Sequence, residues 1–86
     1  MADPTTGDLI KAKTIASDEV NDAVDVFMRD PTVSLFRFAS GHTVDPSAAV
    51  KDHEPSRKAV AEPGASESFR RGMVRTAILL ARPVAA

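Results

Sequence analysis

The sequence predicts a mainly α-helical protein built as one small domain, and three features carry that expectation. Two segments, 17–29 and 66–82, repeat apolar residues at the three-and-four spacing of a helix face. Five of the six prolines follow an acid, at Asp3-Pro4, Asp30-Pro31, Asp45-Pro46, Glu54-Pro55 and Glu62-Pro63. An acid as N-cap with proline at the first helical position is a helix start. A length of 86 residues admits a single domain over 1–86, or one subunit of an assembly.

The first element is an amphipathic helix over about 9–29. LIKAKTIA (9–16) is its weaker half, running on or bending near Ser17, which suits an N-cap. Asp18 and Glu19 then stand at the positive end of the helix dipole. Ala16, Val20, Ala23, Val24 and Phe27 share one apolar face, with Asp18, Asp22 and Asp25 opposite.

Residues 31–40, PTVSLFRFAS, read as a short helix or a strand. Their β-branched and aromatic content suits a strand, whereas Asp30-Pro31 in front and Gly41 behind resemble helix boundaries. The helix is favoured, because no second strand is evident to satisfy a lone strand's backbone.

Residues 42–65 are expected to be an extended, proline-punctuated connector. The residue before each proline avoids the helical region, so every acid-proline pair also ends what precedes it. SAAVKDH and SRKAVA are long enough for one or two helical turns each, which need tertiary contact to persist. The last element is a C-terminal helix over 66–82 with Ser66 as N-cap. Phe69, Met73, Ala77 and Leu80 form its ridge, and Val74, Ile78, Ala81 and Leu79 spread the apolar surface around most of its circumference. Such a helix is normally surrounded.

Composition bears on what surrounds it. Fourteen residues are Ala, nine are Val, four are Phe, and Trp, Tyr and Cys are absent. Burying a large side chain yields only about 1.5–3 kcal/mol, so an Ala/Val core offsets chain entropy poorly and favours help from a partner. Much of the cover for the last helix is accordingly expected from another molecule. Phe69, Gly72, Met73, Ala77, Ile78, Leu79 and Leu80 are the candidate partner-binding residues. Ser68, Gly72 and Thr76 add a ridge of small side chains that permits close helix approach.

Charge adds a second expectation. The formal net charge is −1, which gives no global attraction to nucleic acid or anionic lipid. Residues 1–45 are acidic and 46–86 basic. The Asp18/Asp22/Asp25 stripe and the Arg71/Arg75/Arg82 stripe each lie opposite their helix's ridge. Both are therefore expected to face outward and pair with partners rather than with each other.

Catalysis finds little support. Asp52-His53-Glu54 diverge by about 100° per residue on a helix, which suggests a solvated turn, and His42 beside Gly41 reads as a helix-end or loop residue. The two His do not match a zinc site, the four glycines form no phosphate loop, and no nucleophile elbow occurs. The expectation is a non-catalytic small structural or accessory subunit that binds protein partners, in a homo-oligomer or a larger complex, without cofactor or metal. The alternative is a small regulatory nucleic-acid-binding protein using the arginines of the last helix. The start lacks the form of a signal peptide, and TAILLA (76–81) is too short to span a bilayer. A cytoplasmic location is the expectation.

Overall fold

The computed structural model describes residues 3–85. Among them the chain forms five helices and one two-stranded sheet: α1 (Thr6–Lys11), α2 (Ser17–Arg29), β1 (Phe36–Arg37), β2 (Thr43–Val44), α3 (Pro46–Asp52), α4 (Glu54–Ala61) and α5 (Glu67–Leu80). The protein is mainly α, as the periodicity predicts.

The expected helix over 9–29 is two helices. Thr5 caps α1 in a reciprocal box with Asp8: each backbone N–H is accepted by the other's side chain, at 3.0 and 3.1 Å. The helix closes after Lys11 because Lys13 adopts φ 62°. The Lys13 N–H then donates to the Ile10 carbonyl and the Thr14 N–H to that of Leu9. Those two bonds are a Schellman closure, with lysine where glycine is usual. The cap of α2 is Ala16, not Ser17. The Ala16 N–H is taken by Glu19 Oε2 (3.0 Å), while Glu19 Oε1 accepts from the Ala39 N–H at 2.6 Å and ties α2 to the hairpin.

Residues 31–40 contain a strand, not a helix. Asp30 Oδ1 accepts from the N–H and the hydroxyl of Thr32 and holds the turn after α2. β1 then pairs antiparallel with β2, Phe36 opposite Val44 and Arg37 opposite Thr43. Gly41, at φ 93°, turns the chain between them; it is a hairpin residue and not a helix end. Val84 adds a bridge on the far side of β2, exchanging both backbone bonds with Thr43 at 2.8 and 2.9 Å.

Residues 42–65 are not an extended connector either. Asp45 caps α3 by accepting the Ala48 N–H (2.9 Å), with Pro46 in the first turn. α4 follows after His53, and Pro55 occupies its first turn. These short helices persist because both pack on α5. Asp30 and Glu62 instead end α2 and α4, each with proline next.

α5 is the hub, with α1, α2, α3 and α4 all against it. Ser66 caps it by accepting the Phe69 N–H at 3.1 Å. Its Val74, Ala77 and Ile78 are buried with Val20, Ala23, Val24 and Phe27 of α2, Leu9, Ile15, Phe38, Val44 and Val50. The cover expected from another molecule on this side is supplied by the chain itself. The radius of gyration, 12.2 Å, matches the roughly 12 Å of a compact chain this long.

Candidate functional site

The predicted partner-binding residues divide between inside and outside. Ala77 and Ile78 are core residues. Met73 and Leu79 are half-buried. Phe69 (54 % exposed) and Leu80 (55 %) face out, and a Cβ placed on Gly72 would meet nothing within 4 Å. At 100° per residue, Phe69, Met73, Thr76 and Leu80 fall on one face of α5, with Gly72 at its flank.

The charged stripes behave otherwise than expected. Arg71 Nη2 bonds the Asp25 carboxylate, and Arg75 donates to Asn21 Oδ1 (3.2 Å) and Ser17 Oγ (3.0 Å). α5 buries Val74, Ala77 and Ile78 in place of the predicted Phe69 and Leu80, and this turns the Arg71/Arg75 flank toward α2, so the stripes join the helices. Arg82 Nε donates to the Asp3 carbonyl at 3.0 Å, and Arg70 Nη2 to that of Glu62. Asp18 and Asp22 remain exposed. The arginines of a phosphate-binding face are thus engaged within the chain.

Leu80 belongs to a larger feature. Between α3, the end of α5 and the sheet lies an open cleft of about 710 Å³. Leu35 (65 % exposed), Leu80 and Val84 (68 %) line it, three of the four large apolar side chains most exposed to solvent among the described residues. Leu35, Thr43 and Val84 share one face of the sheet, because strand side chains alternate and Val84 stands opposite Thr43. Ala77, Leu80 and Ala81 come from α5. The α3 wall is Asp45, Ala48, Ala49 and Asp52, whose i, i+3, i+4, i+7 spacing places them on one helix face. Ser34, His53 and Arg82 add to the polar lining. A volume of this order is typical of ligand sites.

His53 is not a solvated turn residue. Its Nδ1 lies 2.5 Å from Ser56 Oγ, and that oxygen lies 2.6 Å from the Met73 carbonyl. A hydroxyl has one proton, and the carbonyl can only accept, so Ser56 donates to Met73 and accepts from His53 Nδ1–H. This network assigns the ring proton of neutral His53 to Nδ1. Nε2 has no partner among the described residues and is not a buried orphan, so it is open to solvent. The pair has the composition of a serine nucleophile and its base but the opposite polarity. Ser56 is fully buried and its proton is committed to a carbonyl; a nucleophile needs that proton accepted by the base. His53 and Ser56 instead fasten the α3–α4 junction to α5.

His42 sits in the hairpin turn, with its Nδ1 2.8 Å from Ser40 Oγ. Among the described residues no group of three or more His, Cys, Asp or Glu is arranged to hold a metal ion, and no helix is long and apolar enough to cross a membrane. Leu35 and Val84 escape sequence reasoning because neither belongs to a periodic segment. The one signal for Leu35 is its place in the apolar run of 33–38, and for Val84 its position beside Pro83. Compared with protein-family models, curated proteins and solved structures, the chain matches none.

Proposed function

We propose that this protein is a non-catalytic protein-binding unit, an accessory subunit that receives an apolar segment of a partner protein in the cleft between α3, α5 and the sheet. One observation carries the reading: Leu35, Leu80 and Val84, all more than half exposed, converge on a single concavity. Scattered exposed apolar residues are ordinary, but apolar residues gathered around a groove mark an interaction surface. Phe69 extends the same surface along α5, three turns and about 16 Å from Leu80.

Leu80→Asp separates docking from folding. In the isolated chain the side chain is 55 % exposed, and surface changes stay within about 0.5 kcal/mol. Covered by a partner, the carboxylate costs several kcal/mol. Native mass measurement of the protein recovered from its own cells is expected to find the parent bound to another protein. Leu80→Asp is expected to be free, while its thermal stability falls by no more than a carboxylate at the end of α5 costs, about 0.3–1 kcal/mol. Arg71→Ala, which touches only the α2–α5 contact, keeps the partner. Retention of the partner by Leu80→Asp contradicts the proposal.

A further inference from the structure

We infer that the segment received by the cleft carries a lysine or arginine among aliphatic residues; this rests on the docking reading above and adds the partner's chemistry to it. The α3 wall offers acceptors. Asp52 makes no hydrogen bond or ion pair among the described residues, and Asp45 uses Oδ1 for the Ala48 N–H, leaving its second oxygen free. His53, whose Nδ1–H is given to Ser56, adds Nε2 as a third acceptor in the neutral ring. Among the described residues Arg82 is the one Lys or Arg on the lining; its Nε is held by the Asp3 carbonyl and its charge remains, so the two carboxylates outnumber it two to one.

Asp52 is the last residue of α3, where a negative charge opposes that helix's dipole, and it directly precedes the N-cap of α4, whose dipole favours it. It is exposed on the same face as Asp45, with Ala48 and Ala49 between them. Two alanines between two carboxylates form a shallow apolar track with an anion at each end. The methylene stem of a lysine or arginine lies along such a track while its charged head reaches a carboxylate. The neighbouring aliphatic residues of the segment then meet Leu35, Leu80 and Val84. An acidic residue at the same place meets two carboxylates and is rejected, which supplies specificity more than affinity.

The test is a titration of the isotope-labelled full chain, followed by backbone amide NMR. Three capped pentapeptides serve as probes: Leu-Val-Lys-Val-Leu and its counterparts with glutamine or glutamate at the centre. The lysine peptide is expected to give saturable shifts at the Leu35, Ala49 and Leu80 amides. The glutamine peptide binds about fivefold more weakly, the effect of one partly exposed ion pair, and the glutamate peptide does not saturate. Asp52→Asn, whose side chain has no hydrogen-bond or ion-pair partner among the described residues, lowers the lysine peptide toward the glutamine level. Equal binding of all three peptides at these amides overturns the cationic inference and leaves the docking reading standing. No saturable shift there with any peptide overturns both.

Discussion

Ser56→Ala tests how the α3–α4 junction is fastened to the hub helix. Ser56 is fully buried, and its hydroxyl stands 2.5 Å from His53 Nδ1 and 2.6 Å from the Met73 carbonyl. Alanine fits the space but removes both bonds. The Met73 carbonyl keeps the donor that α5 itself supplies, so its loss is one net hydrogen bond, about 1 kcal/mol. His53 is half-buried, so its Nδ1–H finds water at a similar net cost. The sum is about 2 kcal/mol, to be read as a shift of the urea midpoint at constant slope. In a domain of this size it lowers the melting temperature by roughly 8–16 °C. His53→Ala in the Ser56→Ala background then costs about 1 kcal/mol less than in the parent, since the shared bond is already gone. A Ser56→Ala protein within 0.5 kcal/mol of the parent refutes the relay and the histidine tautomer drawn from it.

Three further outcomes are expected. Ile78→Ala, at a side chain with no exposed surface in the centre of the core, loses about 2–5 kcal/mol in chemical denaturation; a loss below 1 kcal/mol would show that α5 is not the hub. Lys13→Gly is neutral or stabilising by up to about 1 kcal/mol, because glycine adopts φ 62° without the side-chain penalty. Lys13→Val is destabilising, and the reverse order of the two variants would contradict the Schellman closure after α1. The Asp8 carboxylate is held below its ordinary range by the Thr5 N–H, then by the Thr5 side chain; Asp30 is held below by the Thr32 hydroxyl, then by its N–H. Because these folded values lie below the unfolded ones, both caps contribute fully above about pH 5. They weaken as pH falls from about 4 through the folded values. Amide exchange at Thr5 and Thr32 is expected to accelerate relative to the intrinsic rate only on that acid limb, and Asp8→Asn or Asp30→Asn removes the dependence at its own cap.

The parts of the fold legible in the sequence are those fixed by local rules. The apolar face of α2, the Ser66 cap of α5 and the Asp45-Pro46 start of α3 follow from periodicity and cap chemistry. A bend near Ser17 is open in the sequence, but the end of α1 at Lys11 is not legible, because a lysine occupies the left-handed position that glycine normally announces. The hairpin is missed because strands of two residues leave no alternation to read. α3 and α4 are too short to stand on their own propensity, so their existence is decided by the surface of α5. The Asp25–Arg71 contact follows from which face α5 buries: Val74, Ala77 and Ile78 go inside and Phe69 and Leu80 stay out, a choice that the broad apolar surface of this helix leaves open. Leu80 of the candidate site is visible as an apolar ridge residue. Leu35 and Val84 reach the same cleft through the hairpin and the Thr43–Val84 bridge, a tertiary arrangement without a sequence period.

The docking claim is tested most directly by position-specific photo-crosslinking in the cells that make the protein. A short photoreactive side chain is placed singly at Leu35, Leu80 or Val84, and for comparison at Thr14 or Asp22, which are exposed away from the cleft. The same discrete protein adduct is expected from all three cleft positions and from neither comparison position. Adducts of equal yield at all five positions, or none at the cleft, contradict a docking site there.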